Sequence, residues 1–155
     1  MDNSIHLRHA TDADVVVLRQ FEQGVIQAER PYDSTIADDP VQYYDLEYMI
    51  TAPHIALMVA ECNGMVIGSG YARIEDAKHF LRHTQHVYLG FMYVVSEHRG
   101  KGVNQKLIEA LRQWAAAKGI VEMQLEVYCG NEPAIRAYEK IGFEKLLITM
   151  RRAVE

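Results

Sequence analysis

Tyr88-Leu-Gly-Phe-Met-Tyr-Val-Val95, followed by Arg99-Gly-Lys-Gly-Val-Asn104, is the stretch on which the reading of this chain turns. The first segment is aromatic and β-branched, which predicts a largely buried strand. After the second, Val103, Leu107, Leu111 and Trp114 recur at helical spacing, with Gln105, Lys106, Glu109 and Arg112 between them. Gly100 and Gly102 let the intervening turn bring its N–H groups close to a ligand. The helix start adds unpaired amides and the positive end of a dipole. Arg99 and Lys101 add cationic side chains. Together these predict a pyrophosphate cradle; the plain alternative is a basic turn ahead of a helix. The turn is not a P-loop, because Gly102 rather than Ser or Thr follows Lys101. Nor is it a dinucleotide fingerprint, because Gln105 stands where the third glycine belongs.

Outward from this centre, Ile5-His-Leu-Arg-His-Ala predicts an opening strand, and Thr11-Asp-Ala-Asp caps a helix through Val15, Leu18 and Phe21. Residues 29–48 predict a loop and a second helix. Residues 55–61 and 65–74 predict two strands joined at Asn63-Gly64, a strong hairpin signal. Residues 75–85 read as a longer connection to the Tyr88 strand. Gly119 ends the central helix, residues 121–127 predict another strand, and residues 133–141 a short helix closed by Gly142. Residues 146–151 are expected to return as a last strand. This order suits an α+β (mixed α/β) fold: a mixed sheet with helices on both faces.

Composition bounds the function. The 155 residues are expected to form a single domain, 1–155, and 49% hydrophobic content is too high for a disordered chain. A net charge of −5 argues against a nucleic-acid partner. No apolar run reaches spanning length and no leader opens the sequence, so no membrane partner and a cytoplasmic location are expected. Cys62 and Cys129 are too few for a disulfide framework. His79, His83 and His86 invite a metal reading, but Lys78 and Arg82 lie among them, and a basic loop with no metal is expected.

Downstream stands a second block, Asn131-Glu-Pro-Ala-Ile-Arg-Ala-Tyr-Glu-Lys-Ile-Gly-Phe143. Arg99-x-x-Gly102 after a strand, followed by Asn-x-x-Ala-x-x-x-Tyr-x-x-x-Gly-Phe, resembles the GNAT superfamily of acetyl-CoA-dependent N-acetyltransferases across residues 88–143. The resemblance implies a central, mostly antiparallel mixed β-sheet with a splayed cofactor-binding cleft and acetyl-CoA as co-substrate. It implies that the backbone of Met92, Tyr93 and Val94 holds the pantetheine arm and acetyl carbonyl. Arg99, Gly100, Lys101, Gly102, Val103, Asn104 and Gln105 then hold the diphosphate, and Asn131 contacts pantetheine besides capping its helix. Tyr138 matches the family tyrosine that protonates the departing thiolate, a role suited to a phenol with a pKa of about 10. Gly90 inside the strand marks a bulge that splays it from its neighbour. Gly68-Ser-Gly70 is read as a bulge or close packing. One departure is Asn104, where the family pattern has glycine or alanine; a larger side chain there crowds the diphosphate or hydrogen-bonds to it.

The acceptor amine, with a pKa of about 10, is nucleophilic in only about one molecule per thousand at neutral pH, so a proton must be removed. Glu75 and His86 are the base candidates, with a water chain as the alternative. Between Gln20 and Ala72, Arg30 is the one Lys or Arg, among Glu22, Glu29, Asp33, Asp38, Asp39, Asp45, Glu47 and Glu61. Tyr32, Tyr43, Tyr44 and Tyr48 are interspersed, and this mixture favours a cationic amine if it lines the acceptor wall. A solvated acidic face is the plain alternative. The reading is therefore an N-acetyltransferase acting on a small-molecule amine or peptide acceptor. A non-catalytic acyl-CoA-binding sensor and a purely structural domain are the competing classes. A homodimer through the C-terminal strands is implied by the family alone.

Overall fold

A computed structural model describes residues 4–155. Strand β1 (Ile5–His9) is followed by helix α1 (Val15–Glu29), helix α2 (Leu46–Thr51), and strands β2 (Ile55–Cys62), β3 (Met65–Asp76) and β4 (Gln85–Val94). Helix α3 (Val103–Ala117), strand β5 (Met123–Leu125) and helix α4 (Glu132–Lys140) complete the order. The strands form one sheet in the order β1-β2-β3-β4-β5, antiparallel except for the parallel β4–β5 pair.

Alternation along β2 divides the core in two, because successive side chains point to opposite faces. Ala56, Met58 and Ala60 face α3 and pack with Val87, Leu89, Val103, Leu107 and Leu111. Ile55, Leu57 and Val59 face the other way and pack with Leu18, Phe21, Leu46 and Met49 of α1 and α2. The Asn63-Gly64 turn has positive φ at both residues, 53° and 77°, which matches the twist of the flanking strands.

The feature that positions the site is a bulge in β4. Ser69 pairs with Tyr93 and Tyr71 with Gly90, so two steps along β3 match three along β4. The extra residue puts Phe91 at φ 54°, and the Ser69 hydroxyl donates to the Phe91 carbonyl at 2.9 Å, holding the bulge closed on that side. Gly68 and Gly70 permit the approach: a Cβ at position 68 would meet the Tyr93 carbonyl at 2.9 Å, and one at position 70 the Met92 sulfur at 2.7 Å. On the outer side β4 pairs with β5 only through Val87–Met123, Tyr88–Gln124 and Leu89–Leu125. Beyond Leu89 the two strands part.

Several boundaries differ from the sequence reading. The connection expected over 75–85 shrinks to 77–84, because β3 and β4 run on until Asp76 pairs with Gln85. The strand expected over 121–127 keeps three residues. No strand forms over 146–151 among the described residues. Leu147, Ile148 and Met150 are 83%, 82% and 88% exposed. An apolar run specifies a buried strand only where an edge is there to receive it, and β5 does not pair with this segment. Arg151 is instead anchored to Asp33 (2.9 Å) and Thr35 (2.8 Å).

Candidate functional site

Immediately after β4 the chain turns through 96–102 into α3. Gly100 (φ 76°) and Gly102 (φ 80°) occupy left-handed conformations, and a Cβ on either would meet only open space. Gly102 is the N-cap residue, so it supplies no side chain to the first-turn amides. Backbone donors at a helix start, with Arg99 and Lys101 in the same turn, are an arrangement able to hold an anion such as a diphosphate. Lys101 and Gln105 are exposed there, while Val103 is buried in the core below. Arg99 is turned inward: its Nε donates to the Val94 carbonyl at 2.8 Å and its guanidinium lies 5.6 Å from the Tyr93 ring centre. The turn is thereby tied to the last residues of β4.

The side chains of Met92 and Tyr93 are committed to packing. Met92 lies against the α3 core, and the Tyr93 ring packs tilted on Phe21 at 4.8 Å, above Gly24. What the 92–94 segment offers a ligand is its backbone edge, which no strand covers once β5 has parted, with the Val94 carbonyl taken by Arg99.

Asn131 caps α4, accepting from the Ala134 amide at 3.4 Å. Tyr138, two turns along the same helix, packs edge-on against Phe143 at 5.7 Å and against the α3 core. Burial pushes its phenol above the usual value, and the Asn104 carboxamide beside it pulls the other way. Asn104 follows Val103 in the first turn of α3, and its buried Oδ1 has no hydrogen-bond partner.

On the opposite face stands an aromatic wall: Tyr43 against Tyr44, Tyr44 against Tyr71 and Phe91, and Tyr71 against Tyr88. Burial raises the Tyr44, Tyr71 and Tyr88 phenols above their ordinary value, and Tyr43 is pushed up to about 12, by burial first and then by Glu29. Glu29 is itself raised, chiefly by burial, against a hydrogen bond from Tyr43. Most of the other acidic residues of this region turn out to be engaged internally. Glu22, fully buried, accepts from the Tyr43 and Tyr44 amides at 2.8 and 2.7 Å. Asp45 caps α2, Glu47 pairs with Arg19, Asp39 with Arg30, and Glu61 with Arg8. The sequence reading missed Glu126. The Leu89–Leu125 register sets it beside Gly90, where β4 and β5 part, and its charge adds to the burial that raises the Tyr88 phenol. No motif marks it; only strand register reveals it.

Glu75 and His86, which the sequence reading placed in or beside a loop, are cross-strand neighbours on β3 and β4. His86 Nε2 lies 3.3 Å from Glu75 Oε1, and Arg73 binds the other carboxylate oxygen at 2.6 Å while lying over the Tyr71 and Tyr88 rings. His86 lies four positions before Gly90, about 13 Å along a strand. Among the described residues no set of three or more His, Cys, Asp or Glu side chains is disposed to hold a metal ion. No helix among them is long and apolar enough to cross a membrane.

Comparison with known proteins agrees with this geometry. Residues 23–143 match the model of the acetyltransferase (GNAT) family. The chain is 29% identical over 108 residues to an aminoglycoside N(6′)-acetyltransferase type 1 of Salmonella typhimurium, covering 69% of this chain and 74% of that one. Its fold is similar to that of the aminoglycoside N-acetyltransferase AAC(6′)-Iy solved with CoA, at TM-score 0.73 and 21% identity over 96% of this chain and 99% of that one. A predicted acetyltransferase of Clostridium acetobutylicum solved with acetyl-CoA is similar at TM-score 0.73 and 17% identity, over 97% of each chain. With the strand bulge, the parted β4–β5 pair and the glycine turn at α3 all in place, the chain belongs to the acetyltransferase (GNAT) family of acetyl-CoA-dependent N-acyltransferases.

Proposed function

We propose that residues 1–155 act as one N-acetyltransferase domain, moving the acetyl group of acetyl-CoA to a primary amine of a small molecule or peptide by direct attack in a ternary complex. The observation that carries this reading is the parting of β4 from β5 next to the Gly100–Gly102 turn. A groove with a bare strand edge at one end and helix-start amides at the other fits a thioester on a long arm that ends in a diphosphate. Met92, Tyr93 and Val94 take the arm and the acetyl carbonyl on their backbone edge. Arg99, Gly100, Lys101, Gly102, Val103, Asn104 and Gln105 form the diphosphate end, and Asn131 meets the pantetheine.

The amine nitrogen attacks the thioester carbon, the C–S bond breaks, and Tyr138 passes its phenolic proton to the leaving thiolate. The second nitrogen proton, lost once the nitrogen is acylated, restores the Tyr138 phenol; the ammonium proton of the acceptor goes first to a base. Glu126 is placed for this by its position beside Gly90, and the Glu75–His86 pair lies further along the same wall, to be reached through water. Replacing Glu126 by Gln is therefore expected to slow turnover more than replacing either Glu75 by Gln or His86 by Ala.

The acceptor in this reading is a small cationic amine. Glu29, Glu126 and the faces of Tyr43, Tyr44, Tyr71 and Tyr88 suit such a ligand, and the similarity to an aminoglycoside acetyltransferase supports it. The exposed apolar residues Leu146, Leu147, Ile148 and Met150, together with the unpaired outer edge of β5, support a homodimer in which this segment joins a second copy. Light scattering on the wild type and on Ile148→Asp tests that part: a monomeric wild type ends it.

The decisive test of activity is release of free thiol from acetyl-CoA across aminoglycosides, polyamines, amino acids and short peptides. Amine-dependent release upholds the reading. Binding of acetyl-CoA without release under any acceptor favours a sensor, and no binding removes the cradle.

A further inference from the structure

From Glu144 onward the chain has no helix or strand, yet Arg151 reaches back to the segment that follows α1. Its Nη2 donates to Asp33 Oδ1 at 2.9 Å and its Nη1 to the Thr35 hydroxyl at 2.8 Å. The other carboxylate oxygen of Asp33 accepts from the Tyr128 hydroxyl at 3.4 Å. Tyr128 in turn stacks on Tyr32, with ring centres 6.0 Å apart and planes 15° from parallel. Tyr128 comes two positions after Glu126, at most about 7 Å of chain from the place where β4 and β5 part. A carboxylate and two stacked aromatic rings therefore stand near that parting, and a cation from the chain's own C-terminal segment is bound to the carboxylate.

We propose that Asp33 is a subsite for a second ammonium group of an oligocationic acceptor, and that Arg151 is the resident cation such an acceptor displaces. The proposal rests on the acetyltransferase reading and narrows its acceptor to molecules with a further ammonium several bonds from the nitrogen that is acetylated. Exchanging one cation for another leaves the carboxylate paired. The Arg151 side chain is 60% exposed and that of Asp33 19%, so water screens the pair and the released guanidinium returns to solvent readily. The carboxylate keeps its charge throughout, because the Thr35 hydroxyl and amide, ahead of Arg151, hold its pKa down to about 2. An ammonium is more compact than a guanidinium and brings three donors, and the faces of Tyr32 and Tyr128 attract it further. A monoamine engaged at the thioester has nothing to offer Asp33 and leaves Arg151 in place.

The test sets spermidine, a trication, against propylamine, a monocation, on the whole chain as wild type, Asp33→Asn, Arg151→Gln and the double variant. In thiol-release assays at saturating acetyl-CoA, the ratio of the propylamine KM to the spermidine KM is expected to fall about fivefold in Asp33→Asn. It is expected to rise about threefold in Arg151→Gln, and the Arg151 change should lose its effect in the Asp33→Asn background. Added salt should shrink the wild-type preference for spermidine. An unchanged ratio in Asp33→Asn overturns the subsite, because a strap that merely holds the fold shifts both amines alike. A ratio that falls in Arg151→Gln overturns the displacement, since Arg151 then builds the site instead of filling it. Where neither amine is turned over, calorimetric titration of the four proteins with spermidine decides. Weaker binding in Asp33→Asn and tighter binding in Arg151→Gln uphold the proposal, and equal binding in all four ends it. A wild type that releases thiol with no amine of the wider panel overturns the acetyltransferase reading instead, and the same titration still decides the role of Asp33.

Discussion

The ring of Tyr71 lies over the backbone of Gly90, so closely that a Cβ at position 90 would stand 2.5 Å from its Cζ and Oη. Tyr71 is buried and belongs to the α1–α2 core. It has little room to yield. Gly90→Ala is therefore expected to destabilise the protein by about 1–3 kcal/mol and to weaken acetyl-CoA binding, because the bulge that parts β4 from β5 begins there. Thermal melting and calorimetry check both effects. Adding Tyr71→Leu should recover part of the loss, so that the double variant is more stable than the sum of the single changes allows.

Tyr138→Phe removes one hydroxyl and keeps the packing on Phe143. Turnover is expected to fall by about 100-fold, with acetyl-CoA affinity within twofold of the wild type. Steady-state kinetics and calorimetry together decide it, and equal turnover takes Tyr138 out of the acid role.

Gly102→Val places a β-branched residue at φ 80°. Backbone strain of about 1–2 kcal/mol and a side chain in the open groove follow. Affinity for CoA is expected to drop more than tenfold by a change that calorimetry reads directly, while the far-ultraviolet circular dichroism stays native. Unchanged affinity counts against the diphosphate cradle.

Glu22→Ala leaves the Tyr43 and Tyr44 amides without their buried acceptor. The expected cost is about 3 kcal/mol in stability, since both bonds are charge-assisted. In activity, KM for the amine should rise while KM for acetyl-CoA holds.

The pH dependence of stability has a defined sign at each end. Burial raises the Tyr44, Tyr71, Tyr88 and Tyr138 phenols, so their contribution is complete below about pH 10, the unfolded value, and is lost as pH climbs through the higher folded values. At the acid end Asp14 is held low by its hydrogen bonds from Arg8. That contribution is present above about pH 4 and is lost as pH falls through the depressed folded value. Melting temperature plotted against pH should show a plateau between these limits, and Asp14→Asn should remove part of its acid edge.

The forms from which the cofactor half of the site is proposed were legible because they are local. Glycines at Gly100 and Gly102, an amphipathic α3 and the Asn131–Tyr138 spacing each act within a few residues of chain, and the folded chain keeps those local forms. The hairpin at Asn63-Gly64 was legible for the same reason. The acceptor half depends on register, which no local pattern carries. Glu126 acquires a neighbour in Gly90 only because Leu125 pairs with Leu89. Glu22 sits on an acidic stretch like its neighbours, yet it alone among the described residues is a fully buried acid. Glu75 and His86 were placed at a loop because the outer ends of β3 and β4 are polar, and pairing between exposed strand ends leaves no apolar signature. The 146–151 segment failed in the opposite way, with a strand-like pattern and no strand beside it.

The Glu22 clasp also bears on how this scaffold can change its chemistry over time. Residues 33–45 reach the site as an irregular segment, and one carboxylate at the middle of α1 grips them by two backbone amides rather than by side chains. A grip on main-chain groups is indifferent to what the segment displays. Exposed Tyr43 is free to be exchanged for other residues while the anchor, the bulge and the glycine turn stay as they are, whereas Tyr44 packs on Phe91 and Tyr71. New acceptor preferences can therefore accumulate in that segment without renegotiating thioester binding, and grafting 33–45 between such proteins should succeed wherever the acceptor at position 22 is retained.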